Sequence, residues 1–400
     1  MTTTAEGHQW RRHIINIEAG GWSSSGAHRS APVDVVTLFQ DHLPQWANRI
    51  GVQADTQPAR VVFFAHGGLV DEKKALRKAS HDIDWWMSND VYPIYFVWET
   101  GIIETLTQLL FGDLHWELRS AGTPRFNITK PTASDEIIET LARGVAKVPW
   151  ERMKLDARKA CSQPLQSFPA GPAYITAQHL RHLCASPGGS RFRIYAIGHS
   201  AGAIFMAHWI DALYRLMRND AAYSAVCREL FLLAPALRCD PPHGLLQQVI
   251  ARRGAEDVVE RLTVFTMKDS NERADNIAQI GYKKSLLYLI HHALEDEKKT
   301  PLGGLEVSLR ADQDLSTLFG LAGTHHASAA SSSAELILTP TEATAPSRQR
   351  SMANAHGIFD DDPDTMNAIL CRILEIDDIA SVEIDRRYKP PPIPGSSDSR

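Results

Sequence analysis

The sequence predicts an α/β protein, with a mostly parallel central sheet and helices on both of its faces. Two observations support this. Short runs of β-branched and aromatic residues recur along the 400-residue chain. Between most of these runs lie stretches whose apolar residues follow helical spacing. Strands that are apolar on both faces and alternate with helices are typical of a parallel sheet covered by helices.

Seven β-branched or aromatic runs stand out, at positions 13–17, 33–39, 60–65, 92–98, 193–197, 229–234 and 262–267. The central strands are expected at 61–64, 94–97, 193–197, 230–233 and 262–266. Helices are predicted over 71–87, 201–218 and 363–375. In the first of these, Ala75, Leu76, Ala79, Ile83 and Trp86 recur at a helical spacing.

The chain divides into six predicted segments. Residues 1–98 form the first part of the core, and 99–175 interrupt the alternation as a lid or cap insertion that includes a helix over 137–153. The alternative for this insertion is a set of packing helices away from any site. Residues 176–323 continue the core, 324–355 form a low-complexity flexible segment, 356–388 end the core, and 389–400 form a disordered tail.

Composition narrows the class of protein. Apolar residues make up 44% and charged residues 22%, and the net charge is −5, so nothing indicates a nucleic-acid partner. The sequence contains no run of 18 apolar residues, so it does not indicate a membrane span. The five cysteines are scattered without metal-ligand spacing. We predict free thiols, no cofactor, no metal, no signal peptide and a cytoplasmic location.

A Gly-x-Ser-x-Gly motif follows the run at 193–197. It reads Gly198, His199, Ser200, Ala201 and Gly202, and a helical stretch leaves it. A serine hydroxyl is a weak nucleophile and must be presented at a sharp strand-to-helix turn beside a base. The glycines permit that turn, and the following helix points free amides at a developing oxyanion. Ser200 is therefore the candidate nucleophile.

Two further motifs accompany it. His66, Gly67 and Gly68 follow the run at 60–65, where a loop can supply a main-chain amide to an oxyanion hole. Near the end of the chain, His356 begins the pattern HGxFDxDPxTMN, which closes at Asn367. Together, over residues 61–376, the motifs resemble those of the α/β-hydrolase superfamily, and within it bacterial lipase- or esterase-like serine hydrolases.

The resemblance implies an α/β-hydrolase fold with a Ser–acid–His triad and an oxyanion hole. The acid follows the run at 262–267. Asp269 is favoured because it lies at the carboxyl edge of that strand, Asp275 is the alternative acid, and Glu272 is a weaker third candidate. The implied triad is Ser200, Asp269 and His356, and the implied oxyanion residues are Gly67, Gly68 and Ala201.

His356 is chosen from five histidines that follow Asp269. His291 and His292 lie within a helical stretch, and His325 and His326 lie in the low-complexity segment. Only His356 lies in a loop that can reach the serine from the edge of the sheet. His199, next to the serine, is expected to face away from it and not to be catalytic.

The predicted function is cleavage of carboxylic esters through an acyl-enzyme. The substrate is expected to be a small-molecule ester or a lipid-like molecule, and the apolar stretch 106–118 suits an acyl chain. The alternatives are an amidase, a peptidase or an acyltransferase that uses the same triad, and a non-catalytic binding protein that kept the fold. The sequence leaves the natural substrate, its acyl-chain length and the oligomeric state open.

Overall fold

The described residues of the chain fold around one eight-stranded sheet. The computed structural model describes residues 5–52, 57–67, 72–98, 131–165, 169–218, 226–241, 244–254, 257–277, 281–321 and 333–391. Its strands are β1 (Ile14–Glu18), β2 (Gly21–Trp22), β3 (Ala59–Ala65), β4 (Val91–Trp98), β5 (Phe192–His199), β6 (Cys227–Leu233), β7 (Val259–Met267) and β8 (Ala334–Thr339). They are ordered β2-β1-β4-β3-β5-β6-β7-β8 across the sheet. Only the β1–β2 pair is antiparallel, so the predicted mostly parallel α/β sheet is confirmed.

The helices lie between the strands in chain order. They are α1 (Ala5–His13), α2 (Pro32–Thr37), α3 (Leu43–Arg49), α4 (Glu72–Ser88), α5 (Pro131–Val145), α6 (Lys147–Ala160), α7 (Pro172–Ala185), α8 (Ala201–Met217), α9 (Leu245–Ile250), α10 (Asp269–Ala274), α11 (Leu286–Leu289), α12 (Glu306–Ala311), α13 (Gln313–Leu318) and α14 (Pro363–Leu374). The three helices predicted from the sequence correspond to α4, α8 and α14. None of the described helices is long enough and apolar enough to cross a membrane.

Helices cover both faces of the sheet because successive strand residues point to opposite faces. On β3, the Phe63 ring packs 4.5 Å from that of Trp209 on α8. Its neighbour Phe64 packs 5.1 Å from Tyr95, whose hydroxyl donates to Asp82 on α4. Helices α4 and α8 therefore lie on opposite faces, and β3 is buried between them.

The apolar run at 33–39 is helical rather than extended. It forms α2 and then a π-helical turn, Leu38–His42. Val35, Leu38 and Phe39 are buried, and their i, i+3, i+4 spacing is that of a helix face. The Asp34 carboxylate accepts the Ala31 N–H at 2.8 Å at the helix start. Helical packing therefore outweighs the strand preference of the valines.

The described part of the predicted insertion forms packing helices. The single helix expected at 137–153 is two helices, α5 and α6, which meet at Ala146. Tyr282 donates to Glu139 at 2.7 Å, and Trp150 Nε1 donates to Glu295 at 2.6 Å. These contacts attach α5 and α6 to residues 282–295. The stretch 106–118 and the rest of 99–130 lie outside the described residues.

The prediction of a flexible segment over 324–355 is wrong for its described part. Strand β8 pairs with β7 in parallel from Leu262↔Ala334 to Met267↔Thr339. Ile337 is buried, and Glu335 accepts from Arg372 on α14 at 2.5 Å. The six residues of β8 are apolar enough to pair and pack at the edge of the sheet, although the composition of the chain around them is typical of disorder. Residues 322–332 and 392–400 lie outside the described residues.

The stretch after β8 is fixed as well, and it leads to His356. Thr339 Oγ1 donates to the Ala353 carbonyl at 2.7 Å, and the Thr341 N–H donates to the Ser351 carbonyl at 2.8 Å. The Met352 N–H donates to the Asp362 carboxylate at 2.9 Å. These hydrogen bonds therefore hold the chain in place between β8 and His356.

Candidate active site

Ser200 lies between β5 and α8 in a backbone conformation that non-glycine residues rarely adopt. Its φ is 54° and its ψ is −116°. The Ser200 N–H donates to the Leu233 carbonyl at 2.8 Å, and the Ser200 carbonyl accepts the Ala236 N–H at 3.1 Å. The end of β6 therefore holds the turn from both sides. The predicted strand–turn–helix setting is present.

The two glycines of the motif allow close main-chain packing. A Cβ on Gly202 would lie 2.0 Å from the Ala65 carbonyl oxygen, and a Cβ on Gly198 would lie 2.8 Å from the Ala203 Cα. Any larger residue at either position would collide with main chain that has little room to move. Glycine at both positions is thus a requirement of packing against β3 and within the turn.

Ser200 and His356 meet in the folded chain. The Ser200 Oγ lies 2.8 Å from the His356 Nε2, although 156 residues separate them. Both side chains are nearly inaccessible to solvent. Burial, and then the positive charge of His199, lower the pKa of His356 to about 3. The ring is therefore neutral at ordinary pH, in the form that can accept the serine proton.

The other ring nitrogen of His356 is unsatisfied. When Nε2 accepts from serine, Nδ1 carries the hydrogen. Nδ1 is buried and has no hydrogen-bond partner in the described structure. An unpaired buried donor costs about 1–3 kcal/mol. A hydrogen-bond acceptor placed beside Nδ1 would therefore stabilise the His356 ring.

The three predicted acids lie in different surroundings. Asp269 accepts from Arg273 Nε at 2.7 Å and from the Tyr288 hydroxyl, so its carboxylate is bound away from His356. Asp275 accepts the main-chain N–H of His356 at 2.9 Å. Glu272 is fully buried, and burial raises its pKa to about 8. The preference for Asp269 is not supported by these contacts, because only Asp275 touches His356.

His199 has a place in the site that sequence reasoning missed. Its Nε2 donates to the His356 carbonyl at 3.0 Å, and its Nδ1 lies 3.1 Å from the Asp360 carboxylate. Burial would lower the pKa of His199, but the Asp360 charge and both hydrogen bonds raise it above its ordinary value. His199 does not contact the serine proton, but its hydrogen bond to the carbonyl fixes the main chain of His356.

A half-buried lysine on α4, Lys78, supports this arrangement. Lys78 Nζ donates to the Asp360 carbonyl at 2.7 Å, to Asp82 at 2.8 Å and to the Tyr388 hydroxyl at 2.7 Å. Burial opposes ionisation of Asp360, but the charges of His199 and Lys78 hold the pKa of Asp360 well below its usual range. Asp360, shortly before α14, therefore links His199 to Lys78.

The proposed oxyanion residues lie around Ser200 where the structure describes them. A Cβ on Gly67 would lie 3.3 Å from the Ser200 Cβ, so the loop after β3 passes close to the serine. Among the described residues, neither the Gly67 nor the Ala201 N–H has an acceptor. His66 holds the loop, because its Nδ1 donates to the Gly67 carbonyl at 2.8 Å. Gly68 lies outside the described residues.

A cavity of about 580 Å³ opens onto Ser200 and His356. Its other walls include Phe64, Tyr95 and Ala75, with Arg77 at an exposed position. This volume is typical of a small-molecule site. No described residue of α5 or α6 lines it, so these helices do not cover the cavity.

Within the described part of the chain, no group of three or more His, Cys, Asp or Glu side chains could hold a metal ion. All five cysteines are free. Comparisons of the chain with protein-family models, with curated protein sequences and with solved structures found no match.

Proposed function

We propose that this chain is a serine hydrolase of the α/β-hydrolase fold that cleaves carboxylic esters. The observation that carries the proposal is the 2.8 Å contact between Ser200 Oγ and His356 Nε2 on a turn with a positive φ. A hydroxyl next to a neutral imidazole is an activated nucleophile. The cavity beside it offers room for a small ester.

In the proposed reaction, His356 accepts the Ser200 proton through Nε2 while the Ser200 Oγ bonds to the ester carbonyl carbon. The main-chain N–H groups of Gly67 and Ala201 stabilise the oxyanion, and losing one such donor typically costs about 10²–10³ in kcat. The tetrahedral intermediate then expels the alcohol, which takes the proton from His356. Water attacks the acyl-enzyme by the reverse sequence and releases the acid.

We assign Asp275, rather than Asp269, as the acid that acts on His356. Its carboxylate already binds the His356 main chain, whereas Asp269 is held by Arg273 and Tyr288. The buried Nδ1–H of His356 needs an acceptor. A side-chain rotation that brings Asp275 to Nδ1 would supply one and would stabilise the imidazolium formed during attack.

The free state of all five cysteines supports a cytoplasmic location, where thiols stay reduced.

A fluorophosphonate probe tests the proposal, because it reacts with an activated serine. The wild-type protein should be labelled at Ser200, and Ser200→Ala and His356→Ala should not be labelled. Ser270→Ala, an exposed serine away from His356, is the matched control and should be labelled like the wild type. A panel of p-nitrophenyl esters and an anilide then separates esterase from amidase activity. Labelling that persists in Ser200→Ala would overturn the assignment.

A further inference from the structure

We propose that a second cavity, at the opposite edge of the sheet, binds a small organic anion that carries a phosphate or carboxylate group. This cavity, called the cationic cavity after its two arginines, is lined by Arg12 and Arg49 together with His13, His42, Gln45, Trp46, Met87 and Tyr92. Its volume of about 300 Å³ lies at the lower end of the range for small-molecule sites. That is about ten times the 30 Å³ a water molecule occupies in the liquid, which leaves room for an organic group beside the anion.

The cationic cavity is separate from the candidate active site. His13 ends α1 and directly precedes β1, and Tyr92 is the second residue of β4. These two strands are parallel neighbours, so both residues lie at the amino-terminal edge of the sheet. Ser200 follows the carboxyl end of β5, at the other edge. None of the residues that line one cavity lines the other.

Charge is the main argument for an anionic ligand. Arg12 and Arg49 have no ion-pair partner among the described residues, and no described carboxylate lines the cavity. The neighbouring Arg11 differs, because it pairs with Asp34 at 2.9 Å. Arg12 and Arg49 are both exposed beside the cavity, and guanidinium binds phosphate and carboxylate through paired hydrogen bonds.

The walls of the cationic cavity are fixed before any ligand binds. The Tyr92 hydroxyl donates to the Arg12 carbonyl at 2.7 Å, and His13 Nδ1 donates to the Pro93 carbonyl at 2.8 Å. The Tyr92 ring packs 5.2 Å from Trp46 and 4.4 Å from His13. A preformed wall of this kind lowers the entropy that a ligand must lose on binding. The adjacent aromatic rings favour a ligand whose organic group is flat and apolar.

Calorimetric titration of the full chain with phenyl phosphate and with benzoate, at constant ionic strength, tests this proposal. The two probes distinguish phosphate from carboxylate as the preferred group. Saturable binding of at least one of them is expected, and it should weaken by about tenfold or more in an Arg12→Gln/Arg49→Gln double variant. Arg11→Gln is the matched control and should bind like the wild type.

Gln45→Glu provides a second test, because it adds a carboxylate to the exposed rim of the cavity and should weaken binding without removing an arginine. Circular dichroism establishes that each variant is folded. Absence of saturable binding of both probes up to about 10 mM, which is weaker than most small-molecule sites, would overturn the proposal. Equal affinity in the double variant and the wild type would also overturn it. Neither result bears on Ser200, whose test is covalent labelling.

Discussion

Replacing Asp275 by alanine tests which acid serves His356. The substitution removes the carboxylate that accepts the His356 N–H at 2.9 Å. A hydrogen bond to a charged group contributes about 1.5–3 kcal/mol. This bond holds the main chain of His356 in place. At about 1.4 kcal/mol for each factor of ten, its loss should reduce the population of correctly placed His356, and with it kcat/KM, by about 10- to 150-fold.

That range is the lower limit for Asp275→Ala. If the carboxylate also reaches Nδ1 during catalysis, its loss leaves the developing imidazolium without a counter-charge. Loss of a triad acid of this kind reduces kcat by about 10⁴. The expected result is therefore a fall in kcat between these two limits, with a smaller change in KM, because Asp275 does not line the cavity.

Asp269→Ala is the control in the same stretch of chain. Its carboxylate binds Arg273 and Tyr288, and the Arg273 pair is partly exposed. Such pairs contribute at most about 1 kcal/mol to stability. Activity should stay within about threefold of the wild type, since none of these groups contacts His356.

The assay is steady-state hydrolysis of p-nitrophenyl acetate, with the rate of fluorophosphonate labelling as a second measure. Thermal unfolding of each variant shows whether the fold is kept. The reasoning is refuted if Asp269→Ala loses more than about 100-fold in kcat/KM while Asp275→Ala remains active. That outcome would restore Asp269 as the acid and would require its carboxylate to leave Arg273.

Three further predictions concern the fold and its dependence on pH. Replacing residues 328–349 by a Gly/Ser linker should destabilise the chain and abolish activity, because it removes β8 and the Thr339 hydrogen bond that holds the segment before His356. A linker over 328–332 alone should be tolerated. A folded, active variant of the longer replacement would contradict this prediction. Gly202→Ala should lower the free energy of unfolding by at least about 1–3 kcal/mol, because its Cβ would lie 2.0 Å from the Ala65 carbonyl oxygen. Gly144→Ala is the control and should be neutral or slightly stabilising, because no atom lies within 4 Å of the added Cβ. Denaturant titration measures both effects. Burial lowers the pKa of both His13 and His66 from 6.5 to about 4, so below pH 6.5 the unfolded chain takes up protons that the folded chain does not. Each histidine should therefore reduce the free energy of unfolding by roughly 2 kcal/mol between pH 7 and pH 4.5. His66→Gln should weaken the dependence of the melting temperature on pH in this range.

The sequence identified the parts of the fold whose signals are local. Five buried strands, α4, α8 and α14 follow from apolar runs and from helical spacing, because burial on one or both faces leaves a period in the sequence. The turn at Ser200 was predictable for a related reason. Its two glycines are required by main-chain packing within and beside the motif.

Composition and propensity misled where packing decides. The valines at 33–39 prefer strands, yet their apolar positions fit a helix face against the core. Strand β8 lies in a Ser- and Ala-rich region whose average composition resembles disorder. Its pairing with the already formed edge of β7 supplies hydrogen bonds that no short window of sequence contains.

The sequence by itself therefore determined the class of sheet, the turn at Ser200 and the choice of His356 as its partner candidate. Only the tertiary structure decided which side chains meet. The Ser200–His356 contact spans 156 residues, and the His356–Asp275 contact spans 81. His199 ends β5 and Asp360 precedes α14, and the two side chains bond only because the folded chain brings these segments together. Contacts of this kind depend on how the whole chain folds. Spacing in the sequence alone cannot decide between two candidate carboxylates that lie six residues apart.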